Sequence, residues 1–188
     1  MKKAAIFFAE GYEEIEALTV VDMCRRAGAD IQMVSVTGSE YVTSSHQVCV
    51  RMDAGIEELG FDALDMLILP GGMPGTRNLE QVSALTDQLK RFAADGKYVC
   101  AICAAPSVLG HLGILKGKKA CCYPGFEKDL TGAEVSYLAC TVDGNVITAR
   151  GMGCAIEFSK AIITALQDGD TAAKISDSVI YRISENDR

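Results

Sequence analysis

The stretch "KKAAIFFAEGYEEIEALTVVDMCRRAG", residues 2–28, decides the fold. Its first part, "KKAAIFFA", is a short apolar run of strand length. The next part, Glu13 to Ala27, repeats its apolar residues at helical spacing and stops at Gly28. Glu13 and Glu14 suit the positive end of a helix dipole. Glu16 does not belong with them. At about 100° per residue it falls in line with Val20, Met23 and Ala27, whereas Thr19, Asp22, Arg25 and Arg26 make the polar stripe. Carboxylates are rarely buried without a partner, so Glu16 should point into the packed interior toward a group that satisfies it.

The same alternation continues outward. "DIQMVSVTG" (30–38) reads as a second strand, and "YVTSSHQVCVRMDAG" (41–55) as strand-like and antiparallel, given its polar interruptions. "DALDMLILPGG" (62–72) is a buried strand entering a tight loop, and residues 76–95 have helical spacing with a stop at Gly96. "KYVCAIC" (97–103) is a strand, and "AAPSVLGHLGIL" (104–115) a helix with Pro106 in its first turn. "KKACCYPG" (118–125) is a short strand, and "VSYLACTVDGNVITARG" (135–151) a hairpin turning at Asp143-Gly144. Two helices, 153–169 and 171–183, close the chain. Strands alternating with helices imply one α/β domain over residues 1–188: a doubly wound, mostly parallel sheet with helices on both faces. Ligands bind such sheets at the carboxyl ends of the strands, which selects the loops Glu10–Glu16, "LPGGMPGT" and "AICAAP".

Composition excludes several classes. A net charge of −7 with no basic run argues against direct nucleic-acid binding. No apolar stretch approaches the roughly 18 residues a membrane span needs. The first apolar run meets glutamates too early for a signal-peptide core, so a cytoplasmic location is expected. The eight cysteines are scattered through apolar segments, not spaced as a disulfide framework, and in a reducing compartment most should be small buried hydrophobes.

Cys103 is the exception. It sits where a strand passes directly into a helix, with Ala101 and Ala105 two residues to either side. That is the layout of a nucleophile elbow, whose sharp turn pushes the central side chain outward and tolerates only small neighbours. A helix start nearby should also lower the thiol pKa. The glycines after Leu69 let backbone approach a bound group, so the N–H of Gly72 can form half an oxyanion hole and that of Ala104 the other half. Taken alone, Pro-Gly-Gly is equally a plain turn. If the first strand and the Cys103 strand are neighbours, Glu16 reaches the pocket above Cys103. Desolvated there, its carboxyl should stay protonated, donate to sulfur and pass a proton.

"GYEEIEA", "LPGG", "AICAAP", "YPGFEKDL" and "ITARGMGCAIEF", in this order and without large insertions, resemble the ThiJ/PfpI superfamily, most nearly its parkinsonism-associated deglycase branch and the bacterial members of that branch. The resemblance implies a flavodoxin-like fold and a homodimer in which Cys103 is reactive and readily oxidised to a sulfinate, with Glu16 as its protonated partner. It implies backbone donors at Gly72 and Ala104, a pocket including Gly71 and Tyr123, and an anion pocket to which Arg26 contributes. It further implies a stress-response enzyme acting on small reactive carbonyls or glycated adducts without a cofactor, or a chaperone or redox sensor. Two positions depart from the pattern. Tyr123 replaces a histidine that some members place beside the cysteine, which removes a cysteine–histidine dyad. His46 stands where relatives have a second anion-pocket arginine, making that pocket weaker or pH-dependent. Cys100 and Cys103 form a C-x-x-C, but Cys100 falls inside a strand, unlike a thioredoxin-type dithiol. Adjacent Cys121 and Cys122 should point apart, so neither a four-thiolate cluster nor any other metal site is expected.

Overall fold

A computed structural model describes residues 2–181. In chain order the elements are β1 (Lys3–Phe8), α1 (Glu14–Arg26), β2 (Asp30–Ser35), β3 (Tyr41–Thr43), β4 (Cys49–Arg51), β5 (Ala54–Gly55), β6 (Met66–Leu69), α2 (Gly75–Glu80), α3 (Ser83–Ala94), β7 (Tyr98–Ile102), α4 (Pro106–His111), β8 (Lys119–Ala120), β9 (Glu134–Val135), β10 (Cys140–Asp143), β11 (Val146–Ala149), α5 (Ala155–Leu166) and α6 (Gly169–Ser178).

The main sheet runs β10-β11-β7-β6-β1-β2-β5, with every neighbouring pair parallel except β10 with β11. Its parallel core, β2-β1-β6-β7-β11, has the flavodoxin strand order. β1 lies near the centre, and Ala4 through Phe8 are buried, as a strand covered on both faces requires. One face packs on α1, α5 and α6 through Val20, Met23, Phe158 and Ile162; the other packs on α2, α3 and α4 through Leu79, Leu89, Phe92 and Leu109. A fully buried side chain of this size contributes about 1.5–3 kcal/mol, so these two layers supply the main driving force.

Several sequence expectations change in detail. Residues 76–95 form two helices rather than one. Val82, extended, breaks the pattern between the helices, and α2 is anchored to the first loop by Gly75 N–H donating to Gly11 O (3.1 Å) and Asn78 Nδ2 to Glu10 O (2.9 Å). The helix after Cys103 begins only at Pro106 and ends at His111, where Gly113 takes a positive φ of 75°. Residues 41–51 are antiparallel as expected, but β3 and β4 form a separate ribbon, and only Ala54–Gly55 joins the main sheet, in parallel. β8 pairs with β9 outside the main sheet. The hairpin at Asp143-Gly144 holds, with Gly144 at φ 60°. The last expected helix ends at Ser178, and its positions 182 and 183 lie outside the described residues. No helix among the described residues is long and apolar enough to cross a membrane.

Candidate active site: a strained cysteine beside a buried carboxyl

β1 and β7 flank β6, so the loops leaving these three strands converge at one end of the sheet. Cys103 leaves β7 with φ 65°. A non-glycine residue there costs on the order of 1–3 kcal/mol, and the surroundings must hold it. They do so from both sides: Cys103 N–H donates to Ala149 O (2.9 Å), and Cys103 O accepts from Tyr123 N–H (2.8 Å). Ala101 and Ala105, both fully buried, leave room for the turn. The elbow is therefore present. Its nucleophile stands on a turn whose first helical residue comes three positions later, at Pro106.

Glu16 is 1% exposed. Its Oε2 accepts from Gly71 N–H at 3.0 Å, and its carboxyl is hydrogen-bonded to the Cys103 thiol. Burial pushes its pKa up to about 7; the negative charge of Glu13 adds to this, and the hydrogen bonds from Cys103 and Gly71 oppose it. The helical phase of α1 thus puts a half-neutral carboxyl against sulfur at physiological pH. Gly71 makes the approach possible, because a Cβ there would lie 2.5 Å from Glu16 Oε2 and 2.6 Å from Cys103 Cβ. The neighbouring loop is laced to the first one by Glu13 N–H donating to Gly71 O (2.9 Å), and Gly72 adopts φ 91°.

The thiol departs from the sequence expectation. Burial, then the charge and hydrogen bond of Glu16, push Cys103 well above the ordinary thiol range. The backbone N–H groups of Ala104 and Gly72 pull the other way, as donors aimed at the sulfur must. Both groups rise for one reason: two negative charges in one desolvated pocket are unfavourable. Above about pH 7 the pair holds a single charge and a single proton, and its titration belongs to the pair.

The remaining site residues divide. Tyr123 is brought in, its amide bonded to Cys103 and its ring half-exposed against Gly151. Arg26 is not. It lies at the far end of α1 from Glu16, ion-paired with Asp22 at 2.6 Å on an exposed face. Within one chain it builds no anion pocket with Cys103, because three helical turns separate it from the pocket. His46 is near the site but faces carboxylates: Nδ1 lies 3.0 Å from Glu14 Oε1 and 3.7 Å from Glu13 Oε2. Glu14, then Glu13, raise its pKa. Burial pushes Glu14 upward, but its own backbone N–H and then His46 hold it below the usual range. Within this chain His46 therefore stands in an acidic rim, facing two carboxylates and not an open anion site. Sequence reasoning treated Glu13 and Glu14 as helix-start residues only; nothing in the local pattern marks their partner 32 residues on.

Glu13, Glu14 and His46 are the one group among the described residues whose metal-ligating atoms lie within 4.8 Å of each other, a proximity that their own ion pairs explain. Cys100 is fully buried in β7, and burial raises its pKa far above the ordinary value, so it is no exposed dithiol partner. Cys121 and Cys122 do point apart: Cys121 Sγ lies 3.2 Å from Thr148 O, while Cys122 packs in the α2–α4 layer.

Fold and site together define a doubly wound α/β domain with a cysteine elbow and a buried acid. The chain matches the DJ-1/PfpI family over residues 2–165 and belongs to it. It is 33% identical over 99% of its length to Protein DJ-1 homolog B of Arabidopsis thaliana, of which it covers 43%; the chain spans less than half the length of that relative. It is 28% identical over 88% of its length to Deglycase PYRAB04690 of Pyrococcus abyssi, covering 99% of that protein. The solved structure of oxidised Toxoplasma gondii DJ-1 superimposes with a TM-score of 0.93 at 36% identity, covering 97% of this chain and 100% of that one.

Proposed function

We propose that the chain is a cofactor-independent enzyme of reactive carbonyls, converting methylglyoxal-type dicarbonyls to 2-hydroxy acids or removing the early adducts they form. The observation that carries this reading is the contact of Glu16, with its pKa near 7, against Cys103 at the elbow. A proton shuttle works best with a pKa near the operating pH. As the Cys103 sulfur adds to the aldehyde carbon its proton passes to the Glu16 carboxylate, and the developing alkoxide is stabilised by the N–H groups of Gly72 and Ala104. Glu16 gives its proton to that oxygen, completing a hemithioacetal. As a carboxylate it removes the hydrogen on C1, leaving an enediolate, and returns it to C2. The C1 hydroxyl proton moves to the C2 oxygen, leaving a thioester. Water hydrolyses it, so RCOCHO + H2O gives RCH(OH)COOH and free Cys103. The name of the archaeal relative supports a deglycase-type activity.

The test is lactate formation from methylglyoxal by freshly reduced protein. Cys103→Ala should reduce turnover to background. Retained turnover in the mutant, or none in reduced wild type, contradicts the proposal.

The oxidised state of the Toxoplasma relative supports a second reading, a redox sensor or chaperone switched at Cys103. Under it, Glu16→Gln alters the oxidation product seen by intact mass after peroxide, without any turnover to lose. The assembly we propose is a homodimer, supported by Ile15 lying 48% exposed on α1. Sedimentation at micromolar concentration should give twice the chain mass.

A further inference from the structure

We propose that a cavity beside the elbow, with Arg150 in its wall, selects carbonyl substrates bearing a carboxylate on a short apolar arm. The inference rests on the enzyme reading above and names its substrate class. The cavity, of ≈ 340 Å³, is lined by Tyr123, Pro124, Ala139, Arg150, Gly151 and Met152, among others. That size lies near the lower end of small-molecule sites, about 300–1,000 Å³.

Its two walls spring from the nucleophile. Tyr123 N–H is bonded to Cys103 O, and Cys103 N–H to the carbonyl of Ala149, the residue before Arg150. The Arg150 backbone is fixed in turn by its N–H on Ala139 O at 3.1 Å. A Cβ on Gly151 would meet the Tyr123 ring at 3.2 Å, so glycine there lets the ring close against the chain. The walls are mostly apolar: an aromatic ring, a proline, an alanine and a methionine.

The guanidinium is the exception, and it is unspent. Arg25, Arg26, Arg51 and Arg91 each hold a carboxylate; the half-buried Arg150 and the exposed Arg77 have no ion pair or side-chain hydrogen bond among the described residues, and of these two it is Arg150 that lines this cavity. A planar fork of donors in a partly desolvated wall matches a carboxylate in bidentate fashion. The other rim of the site carries Glu13 and Glu14, which orient an anionic tail away from themselves and toward Arg150. The proposal places the reactive aldehyde of a 1,2-dicarbonyl at Cys103, whose backbone holds both walls, and its carboxylate at Arg150, with the chemistry at the carbonyl unchanged.

The experiment compares 4,5-dioxopentanoate, whose carboxylate sits two carbons beyond the dicarbonyl, with methylglyoxal, which has none. Reduced wild type should favour 4,5-dioxopentanoate in kcat/KM, giving 2-hydroxyglutarate. Arg150→Met should cut that preference at least about tenfold, mainly through KM, as loss of a charge-assisted hydrogen bond implies. Arg150→Lys should restore part of it. A preference untouched by Arg150→Met, or both substrates falling together, overturns the proposal. If reduced wild type turns over neither compound, the enzyme reading fails, and binding judges the pocket. Glutarate should then slow iodoacetamide alkylation of Cys103, followed by peptide mass, in wild type and not in Arg150→Met. Absence of that protection overturns the pocket as well.

Discussion

One turn of α1 holds two carboxyl environments that differ by orientation alone. Glu16 faces inward, meets a thiol and the backbone N–H of Gly71, and is pushed toward neutrality by burial. Glu14 and Glu13 face the rim and meet His46, with Glu14 held below its ordinary pKa. Composition is the same; what differs is how much water each carboxyl keeps and which charge stands opposite. The inward environment suits proton transfer, and the rim suits charge balance.

The largest effect that would sharpen this contrast is Glu16→Gln. The amide keeps the shape and still accepts from Gly71, but it cannot carry a proton, so methylglyoxal turnover should fall by about 10²–10⁴. Glu14→Gln should cost far less; comparable losses from the two would break the contrast.

Next comes Gly71→Ala. The added Cβ must displace the Glu16 carboxyl and Cys103. Overpacking of this kind costs about 1–3 kcal/mol of stability in chemical denaturation, and turnover should drop with it.

Stability against pH falls with rising pH for both raised groups, and it separates the two environments by cause: burial for Glu16, a facing carboxylate for His46. The folded pKa of Glu16 is raised from 4.5 to about 7, so the native state binds the extra proton and wild-type stability falls as pH rises between those values. Glu16→Gln lacks this loss. Its advantage over wild type in urea should grow across that window by up to about 3 kcal/mol and stay flat above it. His46 differs in origin. Its folded pKa is raised by Glu14, so its contribution is fully present below the unfolded histidine value and lost as pH rises through the folded one. His46→Gln should lower Tm slightly at low pH and not at high pH, with turnover nearly unchanged. A large turnover loss there would assign the rim a chemical role.

Much of this was legible in the sequence because it depends on local periodicity. The helical phase alone places Glu16 with Val20 and Met23, and the small residues around Cys103 are what a strained elbow requires. What escaped depends on long-range pairing. Nothing near His46 signals that the β3–β4 ribbon returns it to Glu13 and Glu14, a placement that turns an expected anion pocket into an acidic rim. The spacing of residues 76–95 is continuous, but Val82 is extended and splits it, while Gly75 and Asn78 donate to carbonyls of the first loop and tie the first helix to it. The expected low thiol pKa failed for a related reason: desolvation and Glu16 act together on Cys103, and neither is visible in the turn itself. Arg150 lies within a motif read for family resemblance, and its half-buried place in a cavity wall, without a carboxylate partner, is visible only in space.

The most direct test of the central claim is infrared difference spectroscopy of wild type against Glu16→Gln, following the protonated-carboxyl C=O band from pH 5 to 9. A band assigned to Glu16 that persists to about pH 7 and is altered by Cys103→Ala is the predicted result. A Glu16 already ionised at pH 5.5 would contradict the account, leaving Cys103 without its proton partner.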